Sequence, residues 1–219
     1  MPITLRHARR IGDHLLEILA PACLESPAPM IVGSVRREKP YVKDVELLAI
    51  PRIEERPAPQ ASLFSAANQQ PQTVSLVWER LEALREEGRL VPVKPGGRET
   101  NGVMPEDRKW REKRNGSSRY LRLYLPQPQV LVDLFLACPE TWGLDCVIRT
   151  GAAEFSAAVL TRWKATSGGG ESRGCRLWRP GEDEPIETPQ EAEVFEAIGC
   201  RWVEPQDRHG AGALRPLPS

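Results

Sequence analysis

MIVGSVRREKPYVKDVELLAIP, residues 30–51, combines a Gly-Ser turn with an acidic pair inside an apolar strand. Asp44 and Glu46 are two residues apart, so the alternation of side chains along a strand directs both to one face. Two carboxylates held this close repel each other unless a cation lies between them. Gly33 and Ser34 offer backbone N–H groups and a hydroxyl to an anion. This combination favours a nucleotidyltransferase, whereas the simpler interpretation is a half-exposed strand with acidic residues on its solvent face.

A third carboxylate, Asp133, lies inside the apolar segment VLVDLFLA at residues 130–137. The preceding segment, RYLRLYL at 119–125, alternates polar or aromatic residues with leucines. The link PQPQ at 126–129 allows an antiparallel return, so the sequence predicts a hairpin whose second strand carries Asp133.

An ionised Asp133 in an apolar strand is costly unless it is paired or binds a metal. If the hairpin lies beside the strand predicted at residues 42–50, Asp133 reaches Asp44 and Glu46. Three carboxylates and a triphosphate can then hold two Mg²⁺ ions. The alternative is an Asp133 that an arginine or backbone donors satisfy within the core.

The pattern G-S-x-R-R followed by D-x-E, with Ser34 ten residues before Asp44, resembles the palm of the family X DNA polymerases, the polymerase beta group. VIRTGAAEF at residues 147–155 is similar to the Thr-Gly segment that opens the thumb in that family. The residues from 184 to Arg208 are similar to its C-terminal signature. The similarity runs in chain order from about residue 11 to Arg208, and this collinearity is more specific than any single motif.

The resemblance implies an α+β fold. A nucleotidyltransferase palm with a small mixed β-sheet and flanking helices would span residues 1–145, and a small α/β thumb would span 146–219. The implied function is DNA-directed nucleotide addition to a primer 3′-hydroxyl, in DNA repair or gap filling, as in the reduced viral and phage members. The alternative is a template-independent nucleotidyltransferase that acts on a nucleic-acid end, a protein or a small molecule.

The resemblance also implies roles for individual residues. Asp44, Glu46 and Asp133 would be the catalytic metal ligands for two Mg²⁺ ions, which Mn²⁺ can replace. The expected contacts to the nucleoside triphosphate are Gly33, Ser34, Arg37, Ile148, Arg149, Thr150 and Gly151. The expected DNA contacts are Arg162, Lys164, Lys109 and Arg111.

Two features depart from the family pattern. About thirty residues precede Gly33, so we expect the amino-terminal domain and the helix-hairpin-helix units of fuller members to be absent. Family polymerases usually place aromatic residues next to the position of Thr150, where this chain has Ile148 and Arg149. The sequence therefore leaves sugar and base selection open.

The net charge is zero, but the charges are unevenly distributed. Residues 94–122 carry nine Lys or Arg against four Asp or Glu, and residues 162–179 carry five against one. Residues 182–207 carry nine acids against Arg201 alone. Such segregation can place basic patches along a nucleic-acid groove, although solvated loops would give the same pattern.

The composition is that of a globular protein, with 40% hydrophobic and 27% charged residues. No run of 18 apolar residues occurs, and residues 1–16 lack the apolar centre of a signal peptide. Five cysteines without a CxxC spacing indicate reduced, mostly buried thiols. We therefore expect a cytoplasmic protein that binds no membrane. The resemblance implies a monomer, in a bacterial or phage-infected cell, that binds DNA and nucleoside triphosphates.

Hydrophobic periodicity predicts the remaining elements. One helix should end near Pro21, and a second should span residues 74–87 and end at Gly88. Residues 52–72 and 94–118 are predicted to be irregular. A helix should begin at Gly151, and Thr188-Pro189-Gln190-Glu191 should form a capping box with proline at the first helical position.

Overall fold

The computed structural model describes residues 2–57, 72–94 and 119–218. Their helices are α1 (Leu5–Leu19), α2 (Gly33–Arg36), α3 (Leu76–Glu86), α4 (Trp142–Thr150), α5 (Ala153–Thr166) and α6 (Glu191–Ala197). Their strands are β1 (Ile3–Thr4), β2 (Met30–Val32), β3 (Tyr41–Val42), β4 (Asp44–Ala49), β5 (Ile53–Arg56), β6 (Gln72–Ser75), β7 (Val91–Pro92), β8 (Tyr120–Leu125), β9 (Val130–Leu136), β10 (Glu171–Arg173) and β11 (Arg176–Trp178).

The central sheet has five strands in the order β2-β4-β9-β8-β7. β4 and β9 are parallel, whereas the other neighbouring strands are antiparallel. The protein is therefore α+β, with a mixed sheet and flanking helices, as the sequence predicts. The hairpin of β8 and β9 is also confirmed. Its second strand lies beside β4, which is the condition under which Asp133 can reach Asp44 and Glu46.

The two faces of the sheet carry different side chains because residues alternate along each strand. Val45, Leu47 and Ala49 of β4 join a core that includes residues of α1 and α3. Asp44, Glu46 and Leu48 have the opposite parity and face the other side of the sheet. Leu48 lies there in a smaller cluster that includes residues of α4. The acidic pair therefore faces away from the main core.

The predicted strand at residues 42–50 is interrupted. The chain bends at Lys43, so that β3 pairs with β1 while β4 joins the central sheet. α1 ends at Leu19, and a short 3-10 turn then takes the chain past Pro21.

Residues 52–72 are not wholly irregular, as β5 pairs with β6 in an antiparallel ribbon. The sequence did not predict β5, because three of its four residues are exposed and the strand therefore lacks an alternation of apolar and polar residues. Arg56 adds ion pairs to Glu54 at 2.8 Å and to Glu79 at 2.6 Å. α3 consequently begins at Leu76 rather than at residue 74, and the left-handed Gly88 follows its end, as predicted.

The carboxyl-terminal elements form a second core that includes Leu144, Phe155, Trp163 and Val194. α4 is a helix that periodicity did not single out, and α5 begins two residues after Gly151.

The predicted capping box at residue 188 is wrong, because α6 has Gln190 as its N-cap and Glu193 as the reciprocal partner. The backbone of Thr188 instead pairs with Glu140 and Gly143, at 2.8 and 2.7 Å. That pairing keeps the chain extended up to Gln190.

All five cysteines are free thiols, and three of them are buried, as the sequence predicts. Within the described ranges, none of the helices combines the length and the apolar character needed to cross a membrane.

Candidate active site

The three candidate carboxylates come from the two parallel strands at the centre of the sheet. Glu46 of β4 lies directly opposite Asp133 of β9, and Asp44 lies two residues before Glu46. Opposed residues on neighbouring strands share a face, so the side chains of Glu46 and Asp133 project to the same side. Electrostatic repulsion couples all three groups. The strand register therefore brings together the carboxylates that the sequence predicted.

Glu46 bends toward Gly33 and Ser34, the first two residues of α2. Its Oε2 atom accepts a hydrogen bond from the Ser34 backbone N–H at 3.3 Å. A Cβ atom on Gly33 would lie 1.5 Å from that same oxygen, and Gly33 has a φ of +66°. Only glycine suits both the backbone conformation and the contact. The Ser34 N–H that the sequence assigned to a phosphate thus donates to the Glu46 carboxylate.

Burial and mutual repulsion destabilise the charged form of Glu46. Burial, followed by repulsion from Asp44 and Asp133, raises the pKa of Glu46 to about 7. The Ser34 N–H and the Arg37 guanidinium oppose this shift without cancelling it. Burial also raises the pKa of Asp133. A cation between these groups would relieve the repulsion that these donors compensate only in part.

Asp133 has two partners on β8. The Tyr120 hydroxyl donates to its Oδ1 at 2.9 Å, and the Arg122 guanidinium lies 3.7 Å from its Oδ2. The Tyr120 ring stacks on Phe135, with ring centroids 5.1 Å apart. The alternative interpretation of Asp133, a core carboxylate paired with an arginine, therefore holds in part, because Arg122 lies beside it.

Asp44, Glu46 and Asp133 are the candidate ligands for Mg²⁺. This ion prefers carboxylate oxygens as ligands, and three carboxylate side chains lie on one face of the sheet. No group of three His, Cys, Asp or Glu side chains among the described residues is arranged to hold a metal ion. Asp133 is engaged by β8 and Glu46 by Ser34, so side-chain rotation would be needed to bring their oxygens together. The three carboxylates are therefore suitable ligands for Mg²⁺, but their side-chain rotamers in this structure do not form a metal site.

Arg37 and Arg36 connect α2 to the end of α4. Arg37 donates from Nη1 to the backbone carbonyl of Thr150. Arg36 donates to the Thr150 hydroxyl at 2.8 Å. Arg37, predicted to bind phosphate, therefore lies between Glu46, which acts on it electrostatically, and the Thr-Gly segment.

Arg36 also belongs to a buried ionic network that the sequence did not reveal. It makes two hydrogen bonds to the Glu191 carboxylate, at 3.0 and 2.7 Å. Glu191 accepts a further bond from Arg208 at 2.5 Å. The side chain of Arg208 is fully buried and lies 4.9 Å from the Trp202 ring centroid. The only sequence signal was a lone charge at each position, and Arg36 and Glu191 are 155 residues apart.

The Thr-Gly segment closes the same side of the site. Thr150 is fully buried, and Ile148 is partly buried against the carboxyl-terminal core. The Arg149 guanidinium lies 4.1 Å from the centroid of the Phe135 ring, next to Asp133. A Cβ on Gly151 would approach Phe155 to 2.6 Å. Arg149 is thus held against the sheet rather than extended toward solvent.

The predicted DNA contacts lie apart from this cluster or outside the described residues. Arg162 is partly buried and donates from Nε to the carbonyl of Ile198 at 3.1 Å, so it connects α5 to the end of α6. Lys164 is exposed on the last turn of α5. Lys109 and Arg111 lie outside the described residues.

The chain matches no protein-family model, and a search of curated proteins finds no significant match.

Proposed function

We propose that this protein is a nucleotidyltransferase of the family X polymerase type, which adds nucleotides to the 3′-hydroxyl of a DNA primer. The observation that carries the proposal is the register that sets Glu46 opposite Asp133, with Asp44 alongside and the Gly33–Ser34 turn against Glu46. Carboxylates beside backbone donors and an arginine match what phosphoryl transfer from a triphosphate requires. The palm would comprise residues 1–145 and the thumb 146–219.

In this proposal Asp44, Glu46 and Asp133 hold two Mg²⁺ ions, which Mn²⁺ can replace. The bound ions would supply activation of the 3′-hydroxyl and neutralisation of the pyrophosphate. The Ser34 N–H would donate its hydrogen bond to a phosphate oxygen instead of to Glu46, and Arg37 would pair with the same phosphates.

The Thr-Gly segment would lie at the sugar and the primer end. Because Arg36 and Arg37 both contact Thr150, the phosphate-binding turn and this segment would be positioned relative to each other. The partners would be gapped or primer-template DNA and nucleoside triphosphates, and the setting would be DNA repair by a cytoplasmic monomer.

Primer extension tests the proposal directly. The full chain is incubated with Mg²⁺, the four dNTPs and a labelled primer that is templated, gapped or single-stranded. Extension only on templated or gapped DNA is expected, and extension of single strands would instead identify a template-independent transferase.

Substitution of the carboxylates supplies the matched control. Asp44→Asn, Glu46→Gln and Asp133→Asn each keep the side-chain shape and remove a charge, so each should lower the rate by at least about a thousandfold. Glu86→Gln, on the exposed side of α3, should leave the rate unchanged. Near-normal turnover by the Asp133 variant would refute the site assignment.

A further inference from the structure

The β8 strand places a cation within the carboxylate cluster. Arg122 lies directly opposite Asp133 across β8 and β9, and Asp133 lies directly opposite Glu46 across β9 and β4. The three residues thus stand abreast on one face of the sheet. The Arg122 side chain is 20% exposed and the Asp133 side chain 10%, so this pair is shielded from solvent.

Both oxygens of the Asp133 carboxylate face a group of β8. Tyr120 occupies its Oδ1 atom, and Arg122 lies nearest to its Oδ2 atom. Arg122 also pairs with the Tyr120 hydroxyl and interacts electrostatically with Asp44. Stacking of Tyr120 on Phe135 fixes the tyrosine in place. The arginine therefore acts on two of the three carboxylates proposed as metal ligands.

We propose that Arg122 is the internal counter-ion of the carboxylate cluster, and that it competes with divalent cations for Asp133. This inference rests on the proposed metal-binding function. A guanidinium and a divalent ion cannot both occupy the space beside one carboxylate without repelling each other. Arg122 would accordingly oppose metal binding at Asp133 until its side chain moves away, which its long, flexible stem allows. Arg122 would thus be a positioning residue that limits metal affinity until nucleic acid or nucleotide supplies another anion for it.

Titration of the full chain with Mn²⁺, without nucleotide or DNA, tests this competition. Free Mn²⁺ is measured by its electron paramagnetic resonance signal. Arg122→Met keeps an apolar stem and removes the charge, so its Kd for Mn²⁺ should fall by about tenfold. Arg122→Lys restores a cation and should return the Kd to within about threefold of the wild type. Arg80→Met on α3 should match the wild type.

Three results are decisive. A lower Kd in Arg122→Met that is reversed in Arg122→Lys supports the inference. An unchanged or higher Kd in Arg122→Met, with binding abolished by Asp133→Asn, overturns it and leaves the proposed function standing. No saturable binding by the wild type or any variant overturns both. Arg122→Gln, which keeps hydrogen-bonding groups without the charge, replaces the methionine variant if that variant does not fold.

Discussion

Gly33 is the residue on which the geometry of the candidate site most depends. Its backbone is left-handed, and the Glu46 carboxylate lies where a side chain would begin. Any larger residue would push Glu46 away from the Ser34 N–H. Gly88 offers a matched comparison, because its φ is +70° and a Cβ there would meet no atom within 4 Å.

Alanine substitutions at the two glycines separate conformational strain from contact. Gly88→Ala should lower the free energy of unfolding by about 1 kcal/mol through backbone strain alone. Gly33→Ala should lower it by about 3 kcal/mol, because the displaced carboxylate adds to the strain. Urea denaturation followed by circular dichroism measures both. Equal losses at the two positions would show that Glu46 moves away at no cost.

The Glu46 carboxyl should make stability depend on pH. The folded protein holds this proton up to about pH 7, whereas the unfolded chain releases it near the ordinary value of 4.5. A rise in pH through this window therefore favours the unfolded state. Glu46→Gln removes this contribution to the pH dependence, and at pH 8 in the presence of a chelator it should stabilise the protein by about 2 kcal/mol.

The comparison at low pH supplies the control for Glu46. Below pH 4 both the wild type and Glu46→Gln carry an uncharged side chain, so their unfolding free energies should converge. Glu86→Gln should follow the wild type at every pH. A Glu46→Gln variant that is less stable than the wild type at pH 8 would mean that the charged carboxylate contributes favourable contacts.

At the scale of elements, the network of Arg36, Glu191 and Arg208 joins α2, α6 and the chain after α6. Two arginines share the Glu191 carboxylate, and three charge-assisted hydrogen bonds from them offset the cost of burying its charge. The pKa of Glu191 is lowered overall, although burial raises it, because both arginines favour the charged form.

Removal of the Glu191 charge should be costly because two arginines would remain buried against each other. Glu191→Gln should lower the free energy of unfolding by about 3 kcal/mol. Glu196→Gln, an exposed position on the same helix, should change it by less than about 0.5 kcal/mol. Thermal and urea unfolding measure both. A small loss in Glu191→Gln would show that water enters and solvates the arginines.

For the whole molecule, a net charge of zero means that any attraction to DNA must come from local basic surfaces. Lys164 on α5 is an exposed candidate. Each lysine that contacts a phosphate releases counterions, so affinity should fall steeply as salt rises. With a few such contacts, the proposed polymerase should add one or a few nucleotides per encounter.

Lys164→Ala should weaken binding to a primer-template duplex and reduce the slope of log Kd against log salt by about one. Arg80→Ala on α3 should leave both quantities unchanged. Fluorescence anisotropy over a range of salt concentrations provides the measurement. Equal effects of the two variants would show that α5 does not contact the duplex.

The sheet and its acidic residues were predictable because their signals are local. The alternation of leucines, the PQPQ link and the D-x-E pair are each contained within a few consecutive residues. The Arg36–Glu191 pair was not predictable, because its members are distant in the chain and a single charge has no period. The capping residue of α6 was misassigned because Thr188 is used in backbone pairing with Gly143 and Glu140, a tertiary effect that overrides local preference.

α4 contributes side chains to two cores, since Trp142 and Cys146 pack beside the sheet while Leu144 and Val147 pack with the carboxyl-terminal helices. The proposed boundary at residue 145 lies within this helix. A division at residue 145 would consequently not produce interchangeable modules for protein engineering. A chimaera that exchanges one half for that of another protein must place its crossover before Trp142 or at Gly151, so that one parent supplies the whole helix and both of its packing faces.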